Sequence, residues 1–416
     1  MSGYWGSIYK RKTNSPMDVM NMRNRHKIPL TKHHSIAVLI AVMLFIIVGC
    51  LPGGTFVDYR QEFHVDTSPE IMVDNPILTH TPMNPHNMHE LIELSLFPGR
   101  YLSPIADIAF KRNEKLIFAI HATDGWIEAW DVAAASPVFD TRTGSVGIIG
   151  AAFSPELNYV AEVAGTNRSL ENSELLADFD GVRVFHVATG DLVWESVKAQ
   201  WSSPKNMVAW SPDGMKLAEQ DTWSISLVSA GDWSEGTAIG LSIVDGIEGP
   251  SAELTSIAFD ATGDWLLIGT EKGDVVVESI QTTENNATSD VLSLPNDDFI
   301  LKTVSSPSNH YIGAIGTQRL IVWDTLSLNQ WFSGGAIRLY SEHNYTPAAD
   351  LAFSPDGKLL AVGTKSMWQI WSVEEGELLK EHPQGSYALA FSPDGRLFAW
   401  GDLEGNVHIW GIPDSQ

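Results

Sequence analysis

The hexapeptide Ala-Phe-Ser-Pro-Asp-Gly stands at positions 352–357 and again at 390–395. A close copy, Ala209-Trp210-Ser211-Pro212-Asp213-Gly214, lies further upstream. Weaker copies are Ile108-Ala109-Phe110, Ala152-Phe153-Ser154-Pro155, Ile257-Ala258-Phe259-Asp260 and Val304-Ser305-Ser306-Pro307. Their aromatic positions, or Ser305 in the fifth, fall at 110, 153, 210, 259, 305, 353 and 391. A recurrence of roughly forty residues is the mark of one small unit repeated, each copy burying its apolar face only against its neighbours. Seven such units leave little room for any other architecture.

Each unit reads as strands joined by tight turns. A short apolar strand runs into Ser-Pro-Asp-Gly, where Pro fixes φ near −65° and Gly accepts a positive φ. A second apolar strand follows, as in residues 358–362, then a turn with Gly or Asp, then a third strand ending in an aromatic. The third-strand aromatics are Trp130, Phe185, Trp323, Trp371 and Trp410. Bulky side chains at these positions suit packing between neighbouring sheets. Unit four has Glu278 there instead, and unit three only Leu227-Val228.

The Ala-Phe-Ser-Pro-Asp-Gly turns and the third-strand Trp, with true Trp-Asp pairs at Trp130-Asp131 and Trp323-Asp324, resemble the bacterial WD-repeat β-propellers. The resemblance spans about residues 90–416. It implies an all-β, seven-bladed propeller of four-stranded antiparallel blades. The family's Gly-His dipeptide is missing from every unit, which puts its buried Asp-His-Ser-Trp network in doubt. The last unit ends six residues after its third strand, so its fourth strand has to come from elsewhere; residues 91–97 are the natural donor. Such closure removes an open sheet edge.

The N-terminal segment has a different chemistry. Residues 1–49 hold seven of the 26 basic residues and one of the 51 acidic ones. An apolar run of fourteen residues, 36–49, follows the basic stretch. That is short of the ~20 residues a spanning helix needs and closer to a signal-peptide core. Ile47-Val48-Gly49-Cys50 resembles the bacterial lipobox, and Cys50 is the chain's only cysteine. The resemblance implies a lipid on the Cys50 sulfur and cleavage just before it. The alternative is an uncleaved signal anchor. Met17, Met20 and Met22 offer alternative starts, and residues 50–89, rich in Pro, His, Met and Asn, read as a tether.

Without its first 49 residues the net charge moves from −25 to about −31. That argues against nucleic acid as a partner, since phosphates are bound by clustered Lys and Arg. It also means that attachment to an anionic membrane surface requires the covalent anchor. A single cysteine excludes a disulfide framework and any multi-cysteine metal site. His80, Met83, His86, Met88 and His89 are of a type that suits copper, but nothing fixes their geometry. Asp178-Phe179-Asp180-Gly181 lacks the remaining ligands of a calcium loop. No metal and no cofactor is therefore expected.

The nucleophile elbow, zinc-protease, P-loop and dinucleotide motifs are all missing. The expected function is a lipid-anchored, extracytoplasmic, monomeric propeller that binds protein partners. Binding residues concentrate on loops held by a rigid scaffold. The turns between second and third strands nominate Asp124, Trp126, Glu271, Asp274, Asp402 and Glu404 as a binding face. Acidic insertion 166–180 and the stretch 229–253, with Trp233, are further loops of interest, as is Trp331. Two alternatives stay open: a propeller enzyme or glycan-binding protein acting on envelope or extracellular polymers, and an envelope-protein assembly factor.

Overall fold

The computed structural model describes residues 81–414, apart from 100–101, 113–114, 165–180, 198–207, 221–223, 241–253, 281–288, 294–298, 318, 328 and 335–348. Residues 1–49 and Cys50, expected to form a signal segment with a lipobox, residues 51–80 of the expected tether, and the insertion 166–180 lie outside them.

Among the described residues, twenty-eight strands form seven four-stranded antiparallel sheets. Blade 1 is β2 (Ile105–Phe110), β3 (Leu116–His121), β4 (Trp126–Asp131) and β5 (Ser136–Arg142). Blade 2 is β6 (Ile148–Phe153), β7 (Tyr159–Ala164), β8 (Gly181–His186) and β9 (Leu192–Val197). Blade 3 is β10 (Val208–Trp210), β11 (Lys216–Gln220), β12 (Ser224–Ser229) and β13 (Glu235–Gly240). Blade 4 is β14 (Leu254–Phe259), β15 (Trp265–Thr270), β16 (Asp274–Ser279) and β17 (Ser289–Ser293). Blade 5 is β18 (Ile300–Ser305), β19 (Tyr311–Gly316), β20 (Leu320–Asp324) and β21 (Gln330–Gly334). Blade 6 is β22 (Ala349–Phe353), β23 (Leu359–Thr364), β24 (Trp368–Ser372) and β25 (Leu378–His382). Blade 7 joins β26 (Ala388–Phe391), β27 (Leu397–Gly401) and β28 (Val407–Gly411) to β1 (Ile92–Phe97), the most N-terminal strand. The expected closure is therefore present: β1 pairs antiparallel with β28, from Ile92 opposite Gly411 to Phe97 opposite Val407.

The first strand of each blade is innermost, and neighbouring blades meet along these strands. The chemistry of each strand follows from its place. Second strands are buried on both faces, so β23 reads Leu-Leu-Ala-Val-Gly-Thr with every residue buried. Outer strands are half-exposed, as in β25. Seven apolar clusters fill the seven blade junctions. Trp130, Phe185, Trp323, Trp371 and Trp410 are all buried within them. At the closing seam Phe97 of β1 stacks on Trp130, centroids 5.8 Å apart.

The Ser-Pro-Asp-Gly turns show why those residues recur. In blade 6 the Ser354 hydroxyl donates to Asp356 at 2.7 Å and accepts from the Leu359 N–H at 2.9 Å. Gly357 takes φ +71°, a region costly for other residues. Blade 5 solves the same turn with Asn309 at φ +57°.

Residues 81–89, in the stretch read as a tether, lie against blades 6 and 7. Thr81 bridges Ile412, and Pro85–Glu90 forms a 3-10 helix capped by Asn84. Met83 and Met88 are buried beside Trp368, Trp400 and Trp410. Their thioethers fill an apolar gap, which answers why methionine stands there. Among the described residues no helix is long and apolar enough to cross a membrane.

Candidate functional site

Because all blades share one topology, the turns between second and third strands gather at one end of the ring. The connections from each outer strand to the next blade reach the same end. The six nominated residues stand on these turns in blades 1, 4 and 7, and they differ in what they offer.

In blade 1, Asp124 and Trp126 flank Gly125, at φ +66°. Arg142 clamps the turn: its Nε donates to the Asp124 carbonyl at 3.0 Å, and its guanidinium lies 5.7 Å from the Trp126 ring centroid. In blade 4, Glu271 and Asp274 are half-buried, and the Asp274 N–H donates to Thr270 Oγ1 at 3.1 Å. In blade 7, Glu404 is exposed.

Asp402 is turned inward instead. Its Oδ1 accepts from the Glu404 and Asn406 N–H groups at 3.0 and 2.7 Å. Its Oδ2 meets Asn406 Nδ2 at 2.7 Å and His408 Nε2 at 3.2 Å. Burial alone raises its pKa, but the hydrogen bonds from His408 and Asn406 outweigh that and hold the carboxyl below the usual range. The other His408 nitrogen meets Glu93 of β1 at 2.6 Å, and the ring stacks on Trp400 with centroids 3.8 Å apart. Asp402 thus organises the turn and ties it to the closing strand, while Glu404 faces outward. Gly99 is pressed against the same turn, where a Cβ would fall 2.0 Å from the Gly405 carbonyl oxygen. Only glycine permits that approach.

Two exposed apolar residues on the connections at this end have no signal in the repeat pattern. Leu102 is 92% exposed and Val146 48%. They sit on the connections entering blades 1 and 2, on either side of the Asp124 turn. The other aromatics singled out by the sequence are packed rather than free. Trp233 meets Tyr159, Trp194 and Trp210. Trp331 is 48% exposed but gives its Nε1 to the Val373 carbonyl at 2.9 Å.

Ionisable groups on inner strands form a second feature. Asp107 of blade 1 accepts from the Phe153 N–H of blade 2 at 2.8 Å. Asp350 of blade 6 accepts from the Leu389 N–H of blade 7 at 2.8 Å and meets Lys302 of blade 5 at 3.5 Å. Burial pushes Asp107 up to about 7, with the charge of Asp350 adding to it and Phe153 N–H and Lys302 pulling back. Burial also raises Asp350. These carboxylates lace adjacent blades together through otherwise unpaired inner-strand N–H groups.

His121 is fully buried and meets Glu128 at 2.8 Å and the Ser103 carbonyl at 3.3 Å. His382 stacks on Trp368 at 5.1 Å, and burial, then His408, lowers its pKa. Among the described residues no three His, Cys, Asp or Glu side chains converge to hold a metal ion.

Comparison with known proteins agrees with this geometry. The family model described as "WD domain, G-beta repeat" matches residues 334–372 and 375–411. Those segments begin with the end of β21 and just before β25, so the repeat unit takes the outer strand of one blade with three strands of the next. The β-propeller domain of Cps50 (Swd1) from Myceliophteria thermophila superposes with a TM-score of 0.59 at 17% identity. The match covers 78% of this chain and 100% of that one. No curated protein matches the sequence. The chain is thus a seven-bladed β-propeller containing WD40 repeats.

Proposed function

We propose that this propeller is an interaction scaffold, held at a membrane outside the cytoplasm by lipid on Cys50, that recognises a protein partner with the face formed by the turns of blades 1, 4 and 7. WD40 propellers typically serve as protein-interaction scaffolds. The observation that carries the choice of face is its composition. Carboxylates of Asp124, Glu271, Asp274 and Glu404 surround a rigid ring end on which Leu102 and Val146 project into solvent. Acidic groups around isolated apolar anchors suit a basic partner that inserts an apolar side chain, with the charge steering the encounter.

The anchor rests on the basic flank, the short apolar core and the lipobox of residues 36–50. Cys50→Ala is expected to release the protein from membranes and to abolish labelled fatty-acid incorporation. For the face, a variant with Asp124, Trp126, Glu271, Asp274 and Glu404 changed to Ala is expected to lose partners recovered with the wild type from detergent-solubilised membranes. Recovery of the same partners by this variant would refute the face.

A further inference from the structure

Position four of the second strand is apolar in five blades: Ala119, Ile268, Ala314, Val362 and Trp400. Blade 2 has Glu162 there, 0% exposed. An acid placed where the fold asks for a hydrocarbon side chain breaks the local rule, and such breaks concentrate at functional or strained sites.

Glu162 stands on the same face of β7 as Val160, which packs into the junction with blade 1. Phe118, Ile120, Ile127 and Ala129 line the blade 1 side of that junction, all apolar. The polar neighbours come from two other places. Arg183 of β8 lies opposite Glu162 in the ladder and meets Glu195 at 3.6 Å. The Ser145 and Thr143 hydroxyls hydrogen-bond the carboxyl from the 143–147 connection, which joins blade 1 to blade 2. Among the described residues Arg183 is the one charge that acts on it.

Ser145 is 1% exposed, whereas its neighbours Gly144 and Val146 are exposed. Gly144 and Gly147 take φ +80° and +67°, and a Cβ at Gly144 would meet nothing within 4 Å. A buried serine therefore covers the acid from a short segment with a glycine on either side of Ser145-Val146. Backbone bonds seat that segment on the Asp124 turn: Thr143 N–H donates to the Gly125 carbonyl at 3.0 Å, Gly147 to Thr123 at 3.1 Å and Ile148 to Ala122 at 2.7 Å.

Burial raises the Glu162 carboxyl from an ordinary 4.5 to about 7, although the two hydroxyls and Arg183 pull it back. A neutral carboxyl suits the junction, and a carboxylate there bears the cost of leaving water. Lifting the Ser145 segment admits water with the least disruption, because the other walls are packed strands.

We propose that the 143–147 connection is a pH-sensitive flap, seated while Glu162 is protonated and loosened once it ionises. The seated state binds the proton more tightly than the loosened one. Seating is therefore favoured below about pH 7 and is lost as pH rises through that value. The flap carries Val146 and is bonded to the Asp124 turn, so it controls the blade 1 side of the recognition face. That consequence rests on the face proposed above; the flap itself does not.

Amide hydrogen exchange on the full chain at pH 6 and pH 8 tests the flap, with each rate normalised to that of the unfolded chain at the same pH. A carboxyl that titrates near 7 when seated and at 4.5 when loosened lowers protection about tenfold between these two conditions. That drop is expected at the N–H groups of Thr143, Gly147 and Ile148. The Ser386 N–H, bonded to the Thr364 carbonyl at 2.8 Å beside blade 7, is expected to keep its protection. Glu162→Gln and Glu162→Leu carry no charge at this position, and each should hold the three amides equally protected at both pH values. The second variant keeps the test usable if the first fails to fold. No drop in the wild type would overturn the flap. So would an equal drop in the uncharged variants or at Ser386. The measurement needs no partner, so a failed flap leaves the recognition face standing, and a failed face leaves the flap.

Discussion

Blade 7 and blade 2 place opposite chemistries at the same point. At the fourth position of the second strand blade 7 has Trp400 and blade 2 has Glu162, each 0% exposed. Trp400 belongs to an aromatic cluster with Trp368, His382 and His408, roofed by Met83, Met88 and Leu91. Glu162 sits among hydroxyls and an arginine. The backbone is the same in both, since Trp400 pairs with Leu389 and Glu162 with Ala151 at equivalent ladder positions. The ladder therefore tolerates either chemistry, and the side chains around the junction decide what each blade contributes. Blade 7 secures the closed ring. Blade 2 gives up apolar packing for a buried acid.

The largest expected effect comes from breaking the stable side of the contrast. Trp400→Ala should cost about 3–5 kcal/mol, measured by urea unfolding, because a large fully buried side chain leaves a cavity. A loss below about 1 kcal/mol would mean that the cluster is not what holds blade 7. Met88→Ala should cost about 2–5 kcal/mol on the same grounds. This variant also separates the two roles of residues 81–90: a pure tether would register no change.

Glu162→Leu should act in the opposite direction. Replacing a buried acid by a hydrocarbon of similar volume is expected to stabilise the protein by about 1–4 kcal/mol. Destabilisation would show that the carboxylate is already well compensated within the chain.

A smaller effect is expected at the inner strands. Asp107 keeps its proton up to about pH 7 in the folded protein, against an ordinary value of 3.8. The folded state then binds more protons than the unfolded one between these values, so this contribution is complete below the lower value. It falls as pH rises and is gone above about 7. The slope approaches about 1.4 kcal/mol per pH unit for one proton. Acidification from pH 8 to 5 should raise the unfolding midpoint, and Asp107→Asn should flatten that rise. Asp350 and Lys302 face Asp107, and both remain in the variant. An unchanged pH profile would assign the rise to relief of surface repulsion instead.

Much of this architecture is legible before any coordinates. The turn sequence Ser-Pro-Asp-Gly fixes its own conformation through local hydrogen bonds, so each copy marks a blade wherever it occurs. The apolar run at 91–97, lying ahead of the first repeat, is legible as a strand, and it pairs with β28. Less legible are contacts made between blades that are distant in sequence. Met83 and Met88 read as tether residues because their partners lie some 280–330 residues further on. Asp402 reads as an exposed turn acid for a different reason: its partner His408 is only six residues on, but the ring turns toward it while also meeting Glu93 of β1, 315 residues away in sequence. Glu162 has a signal, a charge inside an apolar second strand, which becomes visible once the blades are aligned on their turns.

The central claim is that partners dock on the end of the ring carrying the turns of blades 1, 4 and 7. A photo-crosslinking amino acid placed at Glu404 or Glu271 tests it most directly, compared with one at Met215, an exposed residue on the turn between first and second strands of blade 3. Discrete adducts are expected from positions 404 and 271 and none from 215, with the protein still folded in each case. Adducts from 215 with none from the other two would place recognition on the opposite end and contradict it.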